Sequence, residues 1–164
     1  MIFSNAFMAP LFGLLEQCRG VEQMDVHHPE GDVFAHSLQV LRCAFRESND
    51  TDLILAAMLH DVGKAEESKG HEKLAVEWLR GHVSVKTLWL IEHHMRIWYL
   101  ILGEMKRRKK VRDLIEHPWL PELILLARWD KMGRSPGAQV GYDRAEIVDR
   151  LNRCVERHFY GKTD

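Results

Sequence analysis

Residues 53–64 read LILAAMLHDVGK: seven consecutive apolar residues, Leu53 to Leu59, run straight into a histidine and an aspartate. A helix that is apolar all round is a buried helix. Its last turn therefore delivers the imidazole of His60 and the carboxylate of Asp61 to the interior or to the floor of a cleft. Burying both without partners would cost several kcal/mol, so a basic side chain, a set of hydrogen bonds or a cation must offset that cost. Adjacent residues on a helix diverge by about 100°. His60 and Asp61 can converge on one ion most easily where the helix ends, and Gly63 two residues on supplies that end.

Outward from this segment the apolar spacing is helical nearly everywhere, and nothing alternates as a half-buried strand does. Phe34, Leu38, Leu41 and Phe45 mark a helix after the turn HPEGD, with Asp32 as its N-cap. Asp50 or Thr51 caps the buried helix. Leu74, Ala75, Trp78 and Leu79 predict a third helix closing at Gly81, and Val85, Leu88 and Trp89 a fourth running to His94. Further helices are expected over Trp98 to Arg112, around Leu123, Ile124 and Ala127 after Pro118 and Pro121, and from an Asp143/Glu146 capping box to about His158. The expectation is an all-α bundle of about six to eight helices. It forms one domain over residues 1–164, with a motif core at about 27–134 and packed terminal helices within 1–20 and 143–159.

Composition fits a globular protein: 46% hydrophobic, 29% charged and five Trp in 164 residues. A net charge of -1 selects no class of partner. The three Cys, at 18, 43 and 154, form no close pair, which argues against a disulfide framework or a thiolate zinc site and makes the reducing cytoplasm the expected compartment. The first residues, MIFSNAFMAPLFGLL, lack a basic flank and contain Pro10, so they read as a docked helix and not a signal peptide. No uncharged apolar run is long enough to span a membrane.

The polar residues on apolar faces are more telling. His36 precedes Val40 by one turn, and His60 follows Leu53, Ala56 and Ala57. His71 precedes Leu74, Ala75 and Trp78; His93 follows Leu90 and Trp89; Asp130 follows Leu123, Leu126 and Ala127. Any one of these is more often a hydrogen-bonded core residue. Five helices each turning a metal-competent group inward point instead to a shared centre. Imidazole and carboxylate without thiolate suit Mn, Fe, Co, Ni or Zn better than Mg or Ca.

The order His36, His60-Asp61 and Asp130, with HDVGK complete, resembles the HD superfamily of metal-dependent phosphohydrolases. A closer likeness is to the HD domain of bacterial CCA-adding tRNA nucleotidyltransferases. It is carried by HHPEGDVFAHSLQVL, LAAMLHDVGK, the GHE at 70–72, IEHH at 91–94 and LLARWDKMGR. The resemblance implies an all-helical HD domain standing alone, without the nucleotide-adding head. It implies a first ion held by His36, His60, Asp61 and Asp130, and a second held by His71 and His93, with Asp61 as bridge. His94 is the substrate- or water-facing neighbour.

The function so implied is hydrolysis of a phosphate ester by a metal-activated water. The substrate class is a nucleotide phosphomonoester or a 2′,3′-cyclic phosphate, with an RNA end as a further partner. Asp61, Lys64 and His94 are then the candidate catalytic residues, Lys64 as a phosphate contact. Arg96 and Arg134 are weaker phosphate candidates, and Glu30 is a candidate for the mouth of the site. The alternatives are a di-iron oxygenase built on the same ligands and a regulatory module with a structural metal. The run KRRKK at 106–110 suits a nucleic acid or nucleotide but is more often a solvated face. Trp98, Tyr99 and Trp119 suit base stacking but are more often core.

Overall fold

The computed structural model describes residues 2–23 and 31–161. Residues 28–30 of the HPEGD turn, and with them the expectation placed on Glu30, fall outside those residues. Within them, eight α-helices follow one another: α1 (Asn5–Glu16), α2 (Val33–Glu47), α3 (Thr51–Leu59), α4 (His71–Leu79), α5 (Val85–Ile101), α6 (Arg108–Ile115), α7 (Leu120–Met132) and α8 (Arg144–Tyr160), with a single 3₁₀ turn, Val62–Ala65, between α3 and α4. No strand occurs among the described residues. None of their helices is long and apolar enough to cross a membrane.

The architecture is organised around α3. Every residue from Leu53 to Leu59 is buried, and the helix packs against α1, α2, α5, α7 and α8. A nine-residue helix is too short to persist alone in water, so this surrounding contact holds it. Asp50 caps its first turn by accepting from Asp52 N and Leu53 N. The neighbouring helices are capped in the same way: Ser4 for α1, Asp32 for α2, Ser84 for α5 and Asp143 for α8.

One stretch departs from the sequence reading. The stretch 98–112 is not one helix, because α5 continues through Trp98 to Ile101 and the chain then turns at Gly103 (φ 70°) before α6 begins. Local propensity for helix is high on both sides of that turn, and the left-handed glycine decides the break. Pro10 lies inside α1 and does not end it.

Gly63 matters for space, not for an unusual φ. A Cβ built there would sit 2.0 Å from the carbonyl oxygen of His71 and 2.8 Å from its carbonyl carbon. The turn after α3 can therefore lie against the first residue of α4 only because position 63 has no side chain, and this approach sets His71 beside Asp61. Gly63→Ala must push α4 away. The expected loss is about 1–3 kcal/mol of stability, as for overpacking elsewhere, or about 2–4 °C in Tm per kcal/mol. Thermal unfolding of the variant beside the unaltered protein measures it; an unchanged Tm would show that α4 does not need this approach.

Candidate metal centre

Six buried side chains, brought in by α2, α3, α4, α5 and α7, meet at the C-terminal end of α3. They form two groups whose ligand-type atoms lie within 4.8 Å of one another: His36, His60 and Asp130, and Asp61, His71 and His94. The local chain explains each position. His36 is on the buried face of α2. His60 is the C-cap of α3, and Asp61 follows it with φ -107° and ψ 5°, already off the helix. His71 opens α4, His94 lies in α5 and Asp130 in the last turn of α7.

Each of the four imidazoles is fixed by its Nδ1, which donates to a backbone carbonyl: His36 to Gly133 O at 3.0 Å, His60 to Ala57 O at 2.9 Å, His71 to Ser68 O at 2.8 Å and His94 to Ile91 O at 2.6 Å. The other nitrogen, Nε2, is thereby turned toward the carboxylates in every case. This is the arrangement by which a backbone acceptor sets the tautomer of a ligating histidine.

Asp61 sits between the two groups and gives one oxygen to each. Its Oδ2 lies 3.3 Å from His60 Nε2 and 3.7 Å from His36 Nε2. Its Oδ1 lies 3.0 Å from His71 Nε2 and 3.5 Å from His94 Nε2. Asp130 Oδ1 completes the first group, 2.9 Å from His36 Nε2 and 3.7 Å from His60 Nε2, while its Oδ2 accepts from Trp98 Nε1 at 3.3 Å.

The electrostatics are those of charge confined with little contact to water. Burial disfavours both aspartate anions, yet His60, Lys64 and the His71 hydrogen bond hold Asp61 well below the usual carboxylate range. The hydrogen bond with His36 and the nearby charge of His60 do the same for Asp130. Burial would likewise lower His60, but the carboxylates of Asp61 and Asp130 outweigh it and carry the imidazole up to about 10. His94 is pushed down, chiefly by burial.

Several features fit divalent ions. His60 Nε2 is buried and has no hydrogen-bond partner. His71 Nε2 and His94 Nε2 face each other at 3.2 Å, so two neutral rings would oppose lone pairs there, and a proton or a cation relieves that repulsion. The donors are nitrogen and oxygen only. Cys18, the thiol packed behind Val62, is raised to about 12 by burial and by Asp61 and stays a thiol. Such a donor set suits Mn, Fe, Co, Ni or Zn.

One expected ligand is displaced. His93 is not in either group; its neighbour His94 is. Leu90 and Trp89 point to His93 as the inward residue of α5, but Trp89 is only half-buried, and the buried stripe is Thr87, Leu90, Ile91, His94 and Ile97. His93 lies about 100° away. It donates from Nδ1 to Trp89 O, accepts from Arg96 at Nε2 and stacks on Trp89.

A cleft of about 610 Å³ opens over the centre, within the range of small-molecule sites. Asp61, His71 and Asp130 form part of its floor, and Lys64, Lys131 and Arg134 supply positive charge. Met95, Trp98, Tyr99 and Leu102 make an apolar wall. Lys64 Nζ donates to Asp61 Oδ2 at 3.0 Å and to Gln23 Oε1 at 2.9 Å. Arg134 is tied to Asp130 O, whereas Arg96 does not line this cleft. Trp98 lines the cleft at a position that periodicity alone assigns to the core, although one signal marks it: it lies four residues beyond His94, one turn along the same helix.

Residues 33–135 match the family model described as HD domain. The Multifunctional CCA protein of Methylococcus capsulatus is 40% identical over 73 residues, covering 40% of this chain and 17% of that protein. The protein of the same name from Thioalkalivibrio sulfidiphilus is 38% identical over 77 residues, covering 43% and 19%. That from Mannheimia succiniciproducens is 29% identical over 168 residues, covering 86% of this chain and 40% of that protein. The chain thus matches at most 40% of the length of these relatives. The family match takes in all six clustered residues and more than half of the sequence, and the chain belongs to the HD-domain family, a superfamily of metal-dependent hydrolases.

Proposed function

We propose that the chain hydrolyses a phosphate ester of a nucleotide, a phosphomonoester or a 2′,3′-cyclic phosphate, and that an RNA end can present the same group. The observation that carries this reading is Asp61: a single buried carboxylate with one oxygen toward each histidine group, at the floor of a cleft ringed by Lys64, Lys131 and Arg134. His36, His60, Asp130 and Asp61 would hold one divalent ion, and Asp61, His71 and His94 a second. When bound, such ions supply an acidified water and neutralise charge on phosphoryl oxygens.

The residues of the chain then divide the remaining work. Lys64 is close enough to the floor to contact a phosphate oxygen once Asp61 is otherwise compensated, and Arg134 adds charge at the rim. Trp98 and Tyr99 give a nucleoside base or sugar an apolar surface beside the reacting phosphate. Three cations at the mouth favour an anionic ester over the neutral substrates of an oxygenase. The name CCA protein carried by the relatives supports a nucleotide-related substrate. The direct test is elemental analysis of the purified protein, then a screen of phosphomonoesters, 2′,3′-cyclic nucleotides and phosphodiesters with Mn, Co, Ni and Fe. No turnover of any ester with any of these metals, with oxygen consumption by an iron-loaded form, would replace the hydrolase reading by the oxygenase one.

Asp61→Ala is expected to abolish both turnover and tight metal binding, because neither group keeps its carboxylate bridge. Full turnover with metal bound would refute the bridge. His94→Ala is expected to lower metal content from about two to about one per chain, while His93→Ala leaves it unchanged; mass spectrometry of the native protein counts the ions. Equal losses in both variants would place His93 and His94 together at the centre, against the orientation of α5 described above. Lys64→Ala is expected to reduce kcat/KM on a small nucleotide by more than joint neutralisation of Lys109 and Lys110, since a fixed contact outweighs screened surface charge. The reverse order would indicate a longer nucleic acid as substrate.

A further inference from the structure

Beside the metal centre but sharing no lining residue with its cleft, a small cavity of about 110 Å³ opens between α5, α6 and the turn before α7. It is several times the ~30 Å³ that one water occupies in the liquid, enough for a tetrahedral oxyanion. Trp89, His93 and Arg96 line it from α5, Lys110 and Asp113 from α6, and His117 from the turn. The rings of His93 and His117 both stack on Trp89, at 4.4 Å and 3.8 Å between centroids, which fixes their planes.

The hydrogen bonding leaves donors spare. His117 Nδ1 accepts from Trp119 N at 3.1 Å, so the proton of the neutral ring is on Nε2, where no acceptor meets it among the described residues. His93 gives its only free lone pair, on Nε2, to Arg96 Nη1 at 3.2 Å. That hydrogen bond positions the guanidinium without neutralising it. Among the described residues neither Arg96 nor Lys110 has a carboxylate within ion-pair reach, and the acid on the lining, Asp113, is exposed. Arg96 is half-buried, and a half-buried cation held by a neutral acceptor is costly unless an anion shares the site.

We propose that this cavity binds a phosphate group through Arg96, Lys110 and His117, and that the phosphate belongs to the backbone of a single-stranded nucleic acid running on across α6. The second part rests on Lys106, Arg107, Arg108 and Lys109, all exposed, which lead into Lys110. A lone phosphate has no use for that row, whereas a strand with repeating phosphates can draw on several of its charges at once. The site does not rest on the hydrolase reading. On α5 it uses Trp89, His93 and Arg96, while the cleft uses Met95, Trp98, Tyr99 and Leu102, so the two sites draw on different faces of that part of the chain.

The test is run with chelator present, so that the metal centre is silent. Inorganic phosphate, and separately a short fluorescein-labelled single-stranded RNA, are titrated into the whole chain while the imidazole signals of His117 and His93 are followed by NMR; RNA affinity is read by anisotropy at several salt concentrations. Both probes are expected to shift the His117 signals. Arg96→Gln and Lys110→Gln should each weaken RNA binding by about threefold to tenfold, and each should make the slope of log affinity against log salt shallower by about 0.7, the value for one phosphate of a single strand left unneutralised. Unshifted His117 signals with both probes would overturn the site. A shift with inorganic phosphate alone, with RNA affinity the same in both variants, would overturn the nucleic-acid assignment, as would binding to anionic phospholipid vesicles without binding to RNA.

Discussion

The structure depends on keeping one carboxylate ionised where almost none of it meets water. Asp61 is 2% exposed at the foot of a helix whose buried residues, Leu53 to Leu59, are all apolar. A buried anion is tolerable only when its oxygens are met by cations or hydrogen-bond donors, and meeting them dictates what surrounds α3. Lys64 must return three residues later, α4 must begin close enough to bring in His71, and α5 must turn His94 inward. The fold is a scaffold that brings these partners to a residue no single helix could satisfy.

Placement alone would leave the imidazoles free to rotate or to change tautomer. The backbone removes that freedom, since each inward histidine donates from Nδ1 to a carbonyl near it in sequence or at the end of an adjoining helix. For His36 that carbonyl is Gly133, at the end of α7. A Cβ at Gly133 would come within 2.6 Å of the Val40 side chain, so the absence of a side chain lets α7 close on α2. Asp130, one turn earlier, arrives with it. Trp98 then holds the outer oxygen of Asp130, leaving the inner one for the histidines. The donor set is therefore rigid before any ion binds, the condition under which a site discriminates among metals and substrates instead of adapting to each.

Much of this was legible in the sequence, and the exceptions have physical causes. The buried helix, the all-α class, the caps at Asp32, Asp50 and Asp143, and the inward positions of His36, His60, His71 and Asp130 all follow from periodicity and capping, which are local. The sidedness of α5 was not legible in the same way. His93 and His94 are adjacent, and the choice between them depends on whether Trp89 or Ile91 belongs to the core. Trp89 is large and apolar but is satisfied by stacking on two imidazoles near the surface, a tertiary arrangement that spacing cannot encode. The cleft was equally hidden. Its aromatic wall looked like core because Trp98 and Tyr99 sit at helical spacing, and only the break at Gly103 leaves Tyr99 and Leu102 exposed.

The charge balance ties the cleft to its proposed substrate. With neutral histidines, the six clustered side chains carry two negative charges, on Asp61 and Asp130. Two divalent ions would exceed that by two, and Lys64, Lys131 and Arg134 stand at the same opening against one further acid, Glu22. Inside a site with little water such an excess is expensive, because the screening that tolerates it at a surface is missing. A neutral ligand would leave it uncorrected, and a carboxylate would correct only part of it. The proposed phosphate ester would bring up to two negative charges to offset the excess, and its organic part would find an apolar surface in Trp98 and Tyr99. The cationic rim is thus not needed to hold ions, which it would repel; its position makes sense as a complement to an anion that arrives after them.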